Sequence, residues 1–289
     1  MTRGSDGPLQ EPAERPMPSF FRTIVVPAAE AEAGRWTDAI RRLRREELEG
    51  IILRGVYDAS ECARLCARLE AGRHGLVRTD FPPQMGAFFL GMNLNLTEPD
   101  LVAYFREAPG FRAGLRKLFS GSVDLEARLT GLLSSLDGGR RYLAAPGPEA
   151  DHMFTTLRAH LPGGFIPAHF DNEQAFRQSY RLIIPHINMD LFSFVLAFSL
   201  AEAGGALEIF NLQHGGRRYR MADGADSASR LDLDGIESIE FRLEPGDMIM
   251  FNSGRYLHRV TPVTGATTRW TACSFMAESR SGEQVYCWG

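Results

Sequence analysis

Pro245-Gly246-Asp247-Met248-Ile249-Met250-Phe251 and, a little further on, Tyr256-Leu257-His258-Arg259-Val260 decide how the second half of this 289-residue chain is read. A Gly-Asp turn launches an apolar strand, and a histidine follows the aspartate by eleven residues. Pro262-Val263 and Gly265 then turn the chain back into Arg269-Trp270-Thr271, with the arginine eleven residues past the histidine. Outward from this stretch, strands are predicted at 153–161, 164–170, 179–188, 192–200, 205–211, 216–220, 237–242, 247–252, 255–261 and 268–278. Pro162-Gly163-Gly164, Gly204-Gly205, Gly215-Gly216, Pro245-Gly246-Asp247 and Thr264-Gly265 separate them as turns. Many short strands with regular turns indicate a sandwich or barrel.

The chain changes character near residue 145. Trp36, Ile40 and Leu43 share helical spacing, with Gly50 as the C-cap, and Ile51 to Arg54 forms a short strand. Asp58 and Glu61 make a D-x-x-E start for a helix to about Arg73; Thr97 opens another to about Arg106, and 110–119 and 123–136 continue the helical pattern. Met85 to Asn95 is read either as core or as cover for a cavity mouth. The expected organisation is a disordered tail at 1–20, a helical buttress at 21–145 and a β core at 146–289, the last two forming one integrated domain. The fold class is mainly β.

Composition narrows the function. The net charge is −4, and 31 of the 32 basic residues are arginine, balanced by 36 acids, so no field draws nucleic acid or an anionic membrane. The nearly apolar run from Leu191 to Ala201 is far short of a membrane span. Residues 1–20 carry Pro8, Pro12, Pro16 and Pro18 and no apolar signal segment. Four cysteines are too few for a disulfide scaffold, which points to a reducing cytoplasm, and Cys62 and Cys66 read as the apolar stripe of a helix rather than as metal ligands.

The chemistry begins at His169-Phe170-Asp171. Residues two apart on a strand share a face, roughly 7 Å apart, so imidazole and carboxylate can converge on one ion. Alone, such a triplet is a polar strand end. With His258 it makes two histidines and a carboxylate, the set that holds non-haem Fe(II) with positions left open. Placed on a hairpin with His258, Arg269 is offset along the strands by about 10 Å, a gap that a five-carbon diacid spans from metal to guanidinium. Thr271 shares the strand face of Arg269 and adds a hydroxyl donor.

From about Met153 to Phe275 the chain resembles the iron(II)/2-oxoglutarate-dependent oxygenases, most of all the branch with a prolyl-hydroxylase-like double-stranded β-helix (jelly-roll or cupin-like) core. The residues that carry the resemblance are Leu161-Pro162-Gly163-Gly164 before His169-x-Asp171, Gly204-Gly205-Ala206-Leu207-Glu208-Ile209-Phe210, the Gly246-Asp247 strand, His258, and Arg269-Trp270-Thr271. The ending and the insert after Asp171 are similar to bacterial hydroxylases of N-substituted amino acids and to carrier-independent alkaloid halogenases. The resemblance implies His169, Asp171 and His258 as iron ligands, 2-oxoglutarate and O2 as cosubstrates, and Arg269 at the distal carboxylate. Family members often carry a tyrosine nine residues before the first ligand, where this chain has His160. That imidazole is read either as a 2-oxoglutarate partner or as a group satisfied by its neighbours. Arg177, Arg181 and His186, in the insert 172–190, are read either as a substrate-recognising lid or as a solvated loop, and residues 211–236 as a second variable loop. The expected reaction is hydroxylation of a small molecule with release of succinate and CO2. The alternatives are a halogenase, a desaturase, a protein-side-chain hydroxylase or a non-catalytic cupin-like metal module. Asp171 opposes halogenation, because the related halogenases lack this carboxylate and seat a halide there.

Overall fold

The computed structural model describes residues 19–72, 74–95, 100–215 and 233–289, with the side chains of 174–176 set aside. Most of the expected tail, the Thr97 helix start, the strand at 216–220 and most of the 211–236 loop lie outside the described residues. Five strands come from the first half: β1 (Thr23–Pro27), β2 (Gly50–Arg54), β3 (Arg78–Asp80), β4 (Ala87–Leu90) and β5 (Arg141–Ala144). The second half supplies β6 (Thr156–His160), β7 (Ile166–His169), β8 (Phe192–Ala197), β9 (Ala203–Gly204), β10 (Leu207–Gln213) and β11 (Ser238–Phe241). It continues with β12 (Met248–Phe251), β13 (Tyr256–Val260), β14 (Val263–Thr264), β15 (Arg269–Glu278) and β16 (Gln284–Trp288). The helices are α1 (Ala28–Glu32), α2 (Ala39–Arg44), α3 (Ala59–Glu70), α4 (Leu101–Leu118) and α5 (Leu125–Leu136).

The strands form a large sheet in the order β1-β2-β12-β8-β15-β6-β4-β3, extended by β16 and β5, and a small sheet in the order β11-β10-β13-β7. Period-2 alternation decides which side chains go where. Leu157 and Ala159 of β6, Met248 and Met250 of β12, and Trp270, Ala272 and Met276 of β15 join the helix-side core. Ile249, Phe251, Ala197, Leu207 and Ile209 pack between the two sheets. The other faces of β6 and β15, carrying Thr156, Arg158 and His160 and Arg269, Thr271 and Cys273, are thereby turned toward the small sheet. This is the expected β-helix core with flanking helices.

The expected capping box is present: the Asp58 carboxylate accepts from Glu61 N at 2.8 Å, and Glu61 Oε2 accepts from Asp58 N at 3.1 Å. Cys62 is buried in the apolar core beside α3, and all four thiols are free. Several local expectations are corrected. Gly50 is not a C-cap but the first residue of β2, paired with Thr23 and Phe251, where a Cβ would press on the Phe21 ring at 2.9 Å. The helices expected before and after residue 110 are one helix, α4, running through Pro109 because Tyr104, Phe105, Ala108, Phe111, Leu115 and Leu118 form a single buried stripe. Residues 179–188 are two 3-10 turns, Gln178–Leu182 and Ile184–His186, rather than a strand; Pro185 has no N–H to give a ladder. The helical reading of the first half omits β1 and β3–β5, all part of the large sheet; Ala87–Leu90 is core, and entirely buried.

The Gly-Asp turn that opens β12 locks it to β2. Gly246 sits at φ +93°, and its carbonyl accepts from Val56 N at 2.8 Å. Asp247 accepts from Gly55 N at 3.0 Å and from Arg54 Nη1. A Cβ on Gly246 would lie 1.9 Å from the Tyr57 carbonyl oxygen, whereas one on Gly34, also at positive φ, would meet nothing within 4 Å. Gly246→Ala therefore combines left-handed strain with a backbone clash and should destabilise by about 3 kcal/mol, lowering Tm by roughly 6–12 °C. Gly34→Ala should cost about 1 kcal/mol, so thermal melts in which the two variants behave alike would contradict this account of the turn.

Candidate active site

β7 and β13 are antiparallel neighbours in the small sheet, and the Cα atoms of His169 and His258 are register partners. The register slips by one residue between this pair and Val260 with Ile166. Pro167 lies in the slipped segment and cannot donate to the ladder. The slip and the strand end carry the chain straight from His169 into a 3-10 turn at Asp171–Phe176. Asp171 N donates to Ser253 O at 3.0 Å, which fixes the start of that turn. Phe170 points the opposite way, into an apolar cluster with Ala168, Phe210 and Leu257.

One ligand atom from each of His169, Asp171 and His258 lies within 4.8 Å of the others. His169 Nδ1 donates to Pro167 O at 2.8 Å and His258 Nδ1 donates to Tyr256 O at 3.0 Å. Each carbonyl can only accept, so Nδ1 carries the proton and the Nε2 lone pair is left for a metal. Those Nε2 atoms stand 3.5 and 3.8 Å from Asp171 Oδ1, a buried oxygen with no hydrogen-bond partner among the described residues. Burial, and then the neighbouring His169, pushes His258 down to about 4, so it is neutral and ligand-ready at neutral pH. Burial also works against an ionised Asp171, but the imidazoles of His258 and His169 outweigh it and hold the carboxyl below its usual range. Three converging acceptors with no proton donor among them fit a divalent cation, and the nitrogen–oxygen set suits Fe(II).

Arg269 begins β15, and its Cα is the register partner of His160 in β6. Strand β15 does not form a hairpin with β13, as the sequence suggested. β14 pairs with β9 at the corner, and the chain crosses from the small sheet to the large one, so Arg269 stands on the opposite wall of the sandwich, where it lines a neighbouring pocket with Gly205, Phe241 and Leu243 and not the pocket on the triad. Arg269 Nη1 donates to His160 Nδ1 at 3.4 Å. Burial pushes Arg269 down to about 10, still charged at neutral pH. Burial, then Arg269 and Arg158, holds His160 well below its ordinary range. His160 is therefore neutral with its proton on Nε2, a buried atom that has no partner among the described residues. Thr271 is fully buried on the same face.

A pocket opens on the triad, lined by apolar Val195, Leu207, Phe251, Val260 and Phe275 and by polar Asn93, Thr156, Arg158, Ser193 and Cys273. None of Arg177, Arg181 and His186 lines it. Arg177 precedes the Gln178–Leu182 turn, and Arg181 and His186 are exposed. His152 is a packed core imidazole against Tyr104 and Phe105. The residue that sequence reasoning missed is Arg158. Its signal was present: a strand that turns His160 inward also turns the residue two before it.

The family model described as "Carrier-protein-independent halogenase WelO5" matches residues 23–289. A crystal structure of an N-substituted L-amino acid dioxygenase from Burkholderia ambifaria AMMD superposes with a TM-score of 0.53, at 17% identity over 86% of this chain and 91% of that one. A structure so described in complex with alpha-KG gives 0.51, at 15% identity over 86% and 90%. This likeness is one of fold. No curated protein sequence matches the chain.

If the triad is a metal centre, Fe(II) added under anaerobic conditions should raise the Tm of the wild-type chain, by the equivalent of about 2.7 kcal/mol at a hundredfold excess over Kd. Asp171→Ala should lose most of that shift, measured against the melting point of its own metal-free form. Equal metal shifts in the two proteins would count against Asp171 as a ligand.

Proposed function

The chain belongs to the family whose model is described as the carrier-protein-independent halogenase WelO5, and from its site we propose that it is a hydroxylase of an unactivated C–H bond in a small molecule, an amino-acid derivative or natural-product intermediate. It is an enzyme of the Fe(II)/2-oxoglutarate oxygenase superfamily, with His169, Asp171 and His258 as its facial triad. No described helix is long and apolar enough to cross a membrane. Four free thiols are compatible with a cytoplasmic setting.

The observation that carries the choice of hydroxylation is the buried Asp171 Oδ1, 3.5 and 3.8 Å from the two imidazole nitrogens. Halide transfer needs a metal position for the halide. Here the Asp171 carboxylate, tethered to the same chain as His169, would fill that position on a bound metal, and a free chloride would have to displace it against the entropy of the tether.

Bound Fe(II) with 2-oxoglutarate and O2 supplies the oxidising power, the cosubstrate leaving as succinate and CO2. The chain's own residues do the positioning. Arg269 holds the distal carboxylate of 2-oxoglutarate through its planar fork, and its burial strengthens that pairing. His160 accepts from Arg269 on Nδ1 and so aims the guanidinium, while its free Nε2–H and the Thr271 hydroxyl offer two further donors to the same diacid. The apolar lining of the cavity keeps water from the reacting carbon.

Two experiments test this. Incubated with Fe(II), 2-oxoglutarate, O2 and a library of N-acyl amino acids and alkaloids, the enzyme should give succinate and a product heavier by one oxygen, with the same product in chloride-free and high-chloride buffer; a chlorinated product from the wild-type protein would refute the hydroxylase reading. In calorimetric titrations, Arg269→Lys, which keeps the charge and loses the fork, should weaken 2-oxoglutarate binding by roughly thirtyfold and iron binding by less than about threefold. Unchanged cosubstrate affinity would remove Arg269 from the site.

A further inference from the structure

Past the end of β4 the chain continues as Gly91-Met92-Asn93-Leu94-Asn95, and its groups are tied down one after another. Gly91 N donates to Val77 O at 2.7 Å, and Gly91 O accepts from Thr79 Oγ1 at 2.8 Å. Met92 N donates to the Met153 sulfur at 3.3 Å. Leu94 O accepts from Ser179 Oγ at 2.6 Å, and Asn95 Oδ1 accepts from the Tyr180 hydroxyl. Between these anchors Asn93, only 2% exposed, lines the pocket on the triad. Its Oδ1 accepts from Asn95 N at 2.7 Å. A backbone N–H can only donate, so this bond settles which end of the carboxamide is oxygen and leaves the NH2 as the other end. That NH2 makes no hydrogen bond among the described residues. A buried donor without a partner is costly, and here the surrounding anchors hold it in one place.

Strand register places Asn93 at the end of the site away from the cosubstrate anchor. Along the inner face of the large sheet, Arg269 pairs with His160, Thr271 with Arg158, and Cys273 with Thr156 and Val195. Phe275, paired with Ser193, stands six residues beyond Arg269, roughly 20 Å along the strand. β4 runs the same course: Ala87 is opposite His160 and Leu90 opposite Leu157. Gly91 then packs on Thr156, where a Cβ would lie 2.6 Å from Thr156 Cγ2, and Asn93 follows two residues further on. A five-carbon diacid gripped by Arg269 ends well short of this region. The pocket wall here is Phe275 with Val195 and Phe251 nearby, and it holds no charged side chain among the described lining residues except Arg158 and the triad.

We infer that Asn93 is the substrate-recognising donor of this enzyme, and that it takes a mainly apolar molecule bearing an uncharged carbonyl oxygen, such as a ketone or an amide. This rests on the oxygenase reading above and specifies its substrate class. Asn93 Nδ2 donates to the carbonyl oxygen, and the apolar remainder lies against Phe275, Phe251 and Val260 toward the metal. A neutral donor in an apolar wall does not repay the desolvation of a carboxylate, and a hydroxyl would bring a proton of its own that needs a second partner. A carbonyl makes neither demand. Because Asn93 is already fixed by its turn, binding costs little ordering of the side chain.

The test is calorimetry at pH 8 on the full chain loaded anaerobically with Fe(II) and 2-oxoglutarate. The probes are 4-phenyl-2-butanone, its carboxylate counterpart 3-phenylpropanoate, and propylbenzene, which lacks the oxygen. The wild-type protein should bind the ketone about fivefold or more tightly than either of the others. Asn93→Asp keeps the shape and the oxygen that accepts from Asn95 N, but sets an acceptor where the donor was. It should weaken the ketone by roughly tenfold or more, with propylbenzene and 2-oxoglutarate within threefold of wild type. A role confined to the turn would leave the ketone unmoved in this variant. Asn93→Ala, which removes the donor and adds no charge, should lose the ketone's advantage over propylbenzene. The inference is overturned if the wild-type protein binds no ketone or prefers the acid, or if the ketone's advantage survives either substitution. A tenfold or greater loss of 2-oxoglutarate affinity in Asn93→Ala also overturns it, by assigning Asn93 to the cosubstrate. A wild-type protein that takes up no 2-oxoglutarate would fail the oxygenase reading itself, which is a different result from any of these.

Discussion

The site depends on one pairing, that of His169 with His258 across β7 and β13. A strand pair fixes the spacing and facing of its side chains, and a slip of one residue would send one imidazole to the outer face. Both imidazoles are then held by their own backbone, through Nδ1 to Pro167 O and to Tyr256 O. Asp171 joins them because β7 ends at His169 and the chain turns at once, anchored by Asp171 N on Ser253 O. β13 in turn pairs with β10, where Ile209 is the fully buried partner of His258. The metal ligands are therefore carried by hydrogen-bonded strands, with the apolar layer between the sheets as their support.

The opposite wall has the complementary chemistry. β6 and β15 bring Arg158, His160, Arg269 and Thr271 to one face of the large sheet, and neither arginine has an ion-pair partner among the described residues. Elsewhere buried or half-buried arginines are matched, as Arg44 is by Asp137 at 2.6 Å and Arg259 by Glu208 at 2.6 Å. A pocket with cationic groups on one wall and a metal-binding triad on the other favours anions carrying their own carboxylates, with the low dielectric strengthening each pairing once water is displaced.

Much of this was legible in the sequence, for physical reasons that can be named. Turn residues with fixed backbone demands, such as Gly246, and strict alternation on short strands marked β12, β13 and β15, and the capping box marked α3. The triad was legible because its residue types and order are chemically restrictive. Tertiary context defeated the rest. Residues 179–188 are apolar enough for a strand, yet Pro185 and the need to pack Tyr180 and Ile183 made them 3-10 turns. The return from His258 to Arg269 looked like a hairpin because local sequence does not say that a chain changes sheets at a corner. Arg158 escaped notice because an arginine in a strand is ordinary until the facing of its neighbour is known.

The central claim is that these three side chains hold Fe(II) in a form that 2-oxoglutarate completes, and optical titration tests it most directly. Anaerobic protein given one equivalent of Fe(II) and then 2-oxoglutarate should develop a visible metal-to-ligand charge-transfer band that saturates at one cosubstrate per chain and is missing in Asp171→Ala and His258→Ala. A featureless spectrum in the folded wild-type protein, or an undiminished band in either variant, would contradict it.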